Sequence, residues 1–478
     1  MTALMKLWFL VSSLLLTGLL IAGRVFAVVP SAQNKTAQIL GDALQLSRAH
    51  RYKEAEAIMR GVAPPADRQQ RIVFYRLKAS ISSGLGHSNA AAQDMEAASR
   101  LLPENEELRL AASLARLQAD VENHSTLSSP LKVLRSAKLP PEQEIEIHLR
   151  SAEILSRAGF YAEAITDFEE ASRLAPARAD LLFDLALARF RLGKLDVALA
   201  TAKQAKVLED SGSLESLMGD IQEKRGDALA AVQSYQAAVA LEPSDEHHRV
   251  ALVLELLRHQ TFDAALVVLD QATSLFPQSV PLKILQSLTY YFVDRSADAI
   301  HALLEARQLD PGNETAARYL GEITLQDTAV PDPAAVAQIC KFADERPKSK
   351  TANALCGGIL LRLARDSGGT VRKTEIFRRL RHAVRVAPGE SIARCHLGEA
   401  LEWAGQWQDA RTQMEACVRL DPKSPEGHYH LSRIYRRLGL TGQANQQTLL
   451  QEQAAGRQTE ESVRRTKNVT KFLVQLGG

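Results

Sequence analysis

The chain has 478 residues, long enough for several ordinary domains or for one extended repeat array. Apolar residues make up 46 %, so a large core can be buried, while aromatics at 5 % beside plentiful alanine and leucine favour close-packed helices over sheets. Basic residues number 58 against 56 acidic, and two of the basic ones, Lys6 and Arg24, flank the N-terminal apolar run. The remaining balance of 56 to 56 excludes an electrostatic case for nucleic acid as a partner.

The first segment reads "MTALMKLWFLVSSLLLTGLLIAGRVFAVVPSAQ". A short basic start at Lys6 leads into an uncharged run from Leu7 to Gly23, and Val25 and Ala27 stand as small residues around a cut before Val28. Seventeen residues fall short of the roughly 20 that span a bilayer, and Arg24 ends the run abruptly. Residues 1–27 therefore read as a signal peptide, with an uncleaved anchor through residues 7–23 as the rival that Arg24 keeps open. Both outcomes export everything after about residue 30, to a periplasmic or other extracytoplasmic place. No cysteine follows the run, which argues against lipid attachment.

From about residue 36 prolines punctuate the chain at a fixed interval. Pro243, Pro277 and Pro311 are 34 residues apart, as are Pro388 and Pro422. Other residues keep fixed offsets from them. Twelve before the proline stand Ala164, Ala231, Ala265, Ala299 and Ala410. Five before it stand Ala98, Ala171, Ala238, Ala272, Ala306 and Ala383. Eight before it come larger residues: Met95, Phe168, Tyr235, Leu269, Leu303, Leu380 and Met414. Seventeen before it come Gly86, Gly159, Gly226 and Gly405. Small residues let two helices approach closely, the larger one fills the hole between units, and glycine supplies the turn.

"GFYAEAITDFEEASRLAP" (159–176) and "GQWQDARTQMEACVRLDP" (405–422) closely resemble second halves of the tetratricopeptide motif, whose period is 34 residues. The resemblance is clearest over 145–311 and 389–440. It implies an all-α solenoid, a right-handed superhelix of about eleven to twelve antiparallel helix pairs. The expected organisation is repeat units over 36–103, a degenerate repeat or linker over 104–142, a central array over 143–347 and C-terminal units over 348–456. Residues 457–478 close the chain as a capping helix and tail, with Val463, Val469, Phe472, Leu473 and Leu476 as its apolar face. Insertions around "TAVPDP" and "DSGGTVRK" are expected as surface loops between paired helices.

Candidate chemistry is sparse. His428 and His430 lie two apart on a helix, about 200° from each other around its axis, so they cannot grip one metal. His428 is expected to fill the bulky first-helix position that Tyr75 and His148 take in other units. His247 and His248 are adjacent at a helix start and read the same way. No H-E-x-x-H, G-x-S-x-G or phosphate-binding glycine loop occurs, and acidic pairs such as Glu169 and Glu170 suit a solvated helix face. No catalytic, cofactor-binding or metal-ligating residue is assigned, and no cofactor is expected. Cys417 takes the small position five before Pro422, where a buried apolar residue is expected. In an exported chain Cys340 with Cys356 is the better candidate bridge and Cys395 with Cys417 the second.

The resemblance also implies that first helices line a concave groove that holds a partner. Counting back from each proline puts Phe183, Leu187, Phe190, Leu254, Ile284, Leu288 and Tyr291 on that face, with Arg191, Lys224 and Arg258 as a basic series. Core packing and solvated helix ends are the competing explanation of these residues. The lysine and asparagine clamp that cytosolic cochaperones of this family use for C-terminal carboxylates is not visible. The implied function is a non-enzymatic scaffold in the cell envelope of a bacterium, taking a protein or peptide partner. The alternative is an accessory subunit of an envelope secretion, polysaccharide-export or enzyme assembly. Fusing residues 1–40 to a reporter active only outside the cytoplasm should give an active reporter, and an inactive one contradicts export.

Overall fold

The computed structural model describes residues 31–327, 329–366 and 373–457. The expected signal or anchor, residues 367–372 of the "DSGGTVRK" insertion and the apolar face of the expected cap lie outside the described residues. Among the described residues there is no strand, and no helix is long and apolar enough to cross a membrane.

Helices follow one another in pairs. The pairs begin with α1 (Ser31–Arg48) and α2 (Tyr52–Met59), then α3 (Arg68–Gly84) and α4 (Ser88–Leu101). Next come α5 (Glu106–Glu122) with α6 (Ser128–Arg135), α7 (Pro141–Arg157) with α8 (Tyr161–Leu174), and α9 (Ala179–Arg191) with α10 (Leu195–Leu208). These form a first compact unit that ends at Asp210. The second unit starts at Ser211 with α11 (Gly212–Arg225), α12 (Ala228–Leu241), α13 (Glu246–Arg258) and α14 (Phe262–Leu275). It continues through α15 (Val280–Phe292), α16 (Ser296–Leu309), α17 (Glu314–Gln326) and α18 (Pro333–Glu345). Then follow α19 (Ala352–Asp366), α20 (Lys373–Val386), α21 (Ser391–Trp403), α22 (Trp407–Leu420), α23 (Pro425–Arg437) and helical residues 441–457, here α24. The described residues thus hold twelve pairs, the upper end of the expected number.

The offsets read from the sequence have direct structural counterparts. Ala164, Ala231, Ala265, Ala299 and Ala410 are fully buried, as are Ala98, Ala171, Ala238, Ala272 and Ala306. A methyl group is all that fits between the paired helices there. Met95, Leu269, Leu303, Leu380 and Met414 fill the space beside them, each at most 1 % exposed. Gly86, Gly159, Gly226 and Gly405 adopt the left-handed backbone, φ between 74° and 83°, that turns the first helix into the second. Phe160 N donates across one such turn to Leu155 O at 2.9 Å, and Gln406 N does the same to Leu401 O. Gln260 and Asp294 take the same left-handed place without being glycine, at φ 57° and 59°. A side chain there costs about 1–2 kcal/mol, which the surrounding helix contacts must outweigh.

Residues 104–142 form a helix pair whose second member, α6, has only 8 residues. A buried polar contact docks it. Asp167 of α8 is fully buried and accepts from Arg135 Nε of α6 at 2.9 Å and from Ser151 Oγ of α7 at 2.8 Å, with His148 Nδ1 at 3.1 Å. Burial pushes this carboxyl up, but the bonds from His148, Arg135 and Ser151 outweigh it and hold Asp167 below its ordinary range. The "TAVPDP" insertion runs between α17 and α18 as expected, with Val330 84 % exposed, and Arg362 of α19 donates to Thr324 O at 2.9 Å beside it. In "DPGNET" Asn313 caps α17, accepting from Ala316 N at 2.9 Å.

Both candidate bridges are formed. Cys340 of α18 joins Cys356 of α19, the first helix of the next pair, while Cys395 of α21 joins Cys417 within one pair. Cys417 is fully buried at the alanine position, so it serves both packing and the bridge. Replacing Ala265 by Phe should overpack α13 against α14 and cost about 1–3 kcal/mol. Thermal unfolding should show a lower melting temperature, and an unchanged one at intact helicity contradicts this packing.

Candidate functional site

In the first unit, the first helices of three successive pairs, α3, α5 and α7, line an open groove of about 900 Å³. On a helix, residues three or four apart share a face. Leu110 and Leu114 of α5 and Ile147 and Ile154 of α7 therefore present apolar rows to the groove. A second row on α7 runs Glu142, Glu146, Arg150, Glu153, Arg157, again at helical spacing, and lines the same groove. The ends of α5 contribute Glu106, Glu107 and Glu122.

Carboxylates dominate this surface, and some of them are strained by it. Arg150 Nε donates to Glu146, and Glu107 pairs with Arg76 at 3.3 Å. Glu153 has its carboxyl pushed above the ordinary range, by burial first, against the pull of Arg157 and Arg150 and with Glu146 adding to the rise. Asp184 on α9 is pushed up to about 7, by burial first and then by Glu153 and Asp180, with Arg178 opposing. This acidic face was not singled out from the sequence, although the glutamates at 142, 146 and 153 carry the helical spacing that marks it.

The expected partner-binding residues fall on first helices in both units. In the first unit Phe183, Leu187 and Phe190 of α9 are partly buried and share one face, with the exposed Arg191 guanidinium 5.9 Å from the Phe190 ring. In the second unit Lys224 is exposed at the end of α11 and Leu254 is 45 % exposed on α13. Arg258 is engaged within the chain, 3.1 Å from Glu223 and bonded to Glu255. Ile284, Leu288 and Tyr291 line one face of α15, where Ile284 and Tyr291 pack on the core formed by the following helices. The Tyr291 hydroxyl donates to Gln326. Arg258, Ile284 and Tyr291 thus work for the fold as well as for any partner.

The histidines have structural partners. His428 is buried, with Nδ1 2.6 Å from Gln447 Oε1 and Nε2 3.1 Å from Pro422 O, as its place in the repeat implies. His430 turns away to Glu402 at 2.6 Å. Glu242, Asp245 and His248 bring their ligand atoms within 4.8 Å of one another. The same atoms serve the fold: His248 contacts Ser216 Oγ at 2.7 Å and Glu242 at 3.1 Å, and Glu242 accepts from Gly212 N at 2.7 Å.

Asp184 gives the region a pH signature. Its folded pKa of about 7 lies above the roughly 3.9 of an unfolded aspartate, so the folded form binds the proton more tightly. The stability from this proton is complete below about pH 4 and is lost as pH rises through about 7. Asp184→Asn should therefore raise the urea midpoint over the parent's more at pH 8 than at pH 5. An equal difference at both pH values contradicts the assignment.

Comparison with known proteins places these helices in context. A family model described as tetratricopeptide repeat matches residues 149–212 and 395–458. No curated protein matches the chain. Among solved structures, the C-terminal part of a TPR repeat-containing protein from Cytophaga hutchinsonii is 16 % identical at a TM-score of 0.41, covering 59 % of this chain and 99 % of that one. Yeast Tom70 is 15 % identical at 0.35, covering 90 % and 97 %. The Cut9–Hcn1 hetero-tetramer of the APC/C is 12 % identical at 0.38, covering 92 % and 96 %. Residues 149–212 and 395–458 are similar to tetratricopeptide repeats and lie in a chain of helix pairs.

Proposed function

We propose that the protein is a non-enzymatic scaffold, exported to the cell envelope, that holds a protein or peptide partner against the exposed face of its first helices. One observation carries the reading: three successive first helices leave an open groove of about 900 Å³ with apolar rows from Leu110, Leu114, Ile147 and Ile154. A groove of that size with a partly apolar lining suits an extended or helical peptide segment. Phe183, Phe190, Ile284, Leu288 and Tyr291 offer further apolar contacts on first helices, and Arg191 and Lys224 add charge at their ends. The envelope location is supported by the N-terminal apolar run and by two disulfides, which persist in oxidising compartments.

Capture from solubilised envelopes tests the function. Each apolar anchor is worth roughly 1.5–3 kcal/mol when buried, so Leu114→Ala with Ile154→Ala should weaken recovery of the main partner by well over tenfold. Helicity, read by circular dichroism, should stay at the parent's value. A folded double variant that captures everything the parent captures places the interaction surface elsewhere.

A further inference from the structure

We propose that the groove of the first unit takes a cationic amphipathic segment of a partner protein, with lysine or arginine on the glutamate row and apolar side chains on the leucine and isoleucine rows. This rests on the scaffold reading and adds the chemistry of what is scaffolded.

Charge complementarity is the argument. Six carboxylates line the groove, those of Glu106, Glu107, Glu122, Glu142, Glu146 and Glu153. Arg109, Arg76 and Arg150 pair with Glu106, Glu107 and Glu146, and Arg157 also faces the space, so the surface keeps an acidic excess centred on Glu122, Glu142 and Glu153. The chain as a whole carries a net +2, so this acidity is a local property of one surface. It is also arranged. On α7 the charged row from Glu142 to Arg157 lies beside the row formed by Ile147 and Ile154, and Leu110 and Leu114 face the same space from α5. A partner helix with cations on one edge and apolar residues on the next meets both rows at once.

The interior of the groove supports the same sign. Glu153 and, beyond it, Asp184 sit above their ordinary ranges because burial and mutual repulsion outweigh the pull of Arg150, Arg157 and Arg178. The cations beside Glu153 and Asp184 do not offset the burial and repulsion that favour their neutral forms. An incoming ammonium or guanidinium group supplies further positive charge. An acidic segment meets repulsion from Glu122, Glu142 and Glu153, and a purely apolar one desolvates them without a counter-charge.

The test uses the full chain and two defined probes: a fluorescent amphipathic helix of leucine and lysine, and its leucine–glutamate counterpart. The lysine helix should bind, the glutamate helix should not, and raising salt from about 0.05 to 0.3 M should weaken binding steeply. Glu142→Lys with Glu153→Gln should weaken the lysine helix by about tenfold or more, since Glu142 is exposed and the glutamine keeps the shape of Glu153. Equal binding of both helices, or an unaffected variant, overturns the cationic assignment, and loss of capture by the Leu114→Ala, Ile154→Ala chain in the same preparation keeps the groove as the docking site. Binding of neither helix, together with unchanged capture by the Leu114→Ala, Ile154→Ala chain, overturns both readings. If the full chain self-associates and residues 1–457 alone do not, the occupant is the chain's own basic stretch around Arg464, Arg465, Lys467 and Lys471, and a separate partner is contradicted.

Discussion

Two packed α-helices lie about 8–10 Å apart, and they reach the short end of that range only where the side chains between them are small. In this protein that condition is met by an alanine twelve residues before the repeat proline and another five before it, both without exposed surface in unit after unit. Their separation of seven positions is about two turns of helix, so both methyl groups face the same neighbour. Their close approach leaves a hole, and one larger residue, such as Leu269 or Leu303, fills it. A left-handed residue just before the second helix, as at Gly159, Gly226, Gln260, Asp294 and Gly405, turns the chain back so that the pair can close.

Once the second helices are committed to this packing, the first helices keep one face free. That face is where the chain can differ from unit to unit without loss of the core. On α7 it carries Glu142, Glu146 and Glu153 beside Ile147 and Ile154, and on α15 it carries Ile284, Leu288 and Tyr291. The same physics that builds the stack thereby produces a surface for recognition. Repeats lend each other stability mainly through nearest neighbours, so a local reinforcement acts locally. The two disulfides close loops of 16 and 22 residues in the later part of the chain, each worth about 3 kcal/mol by loop entropy.

The repeat was legible in the sequence because its rule is local: a methyl, a large apolar group and a turn residue at set distances from a proline. Ala265, Leu269 and Ala272 could be placed before any coordinates. Where the rule was broken, tertiary contacts had taken over. Residues 104–142 lost the punctuation because α6 is short and is held by Arg135 on buried Asp167 instead of by an alanine seam. Gln260 and Asp294 hid their turns by lacking glycine. The acidic groove was less legible, since its sign is the sum over α5 and α7, and a glutamate read alone is only a solvated side chain. Arg258 illustrates the converse: its basic character is visible in sequence, its engagement by Glu223 and Glu255 only in three dimensions.

The central claim is that stability runs through neighbouring pairs packed on buried alanines. Native-state hydrogen exchange of the intact chain, followed before and after mild reduction, tests it most directly. Slow amides should recur with the 34-residue period on the helices around the buried alanines. Reduction should lower protection around α18 to α22, where both disulfides lie, and leave α3 to α9 as they were. Loss of protection throughout the chain on reduction, or slow amides without the period, contradicts the account.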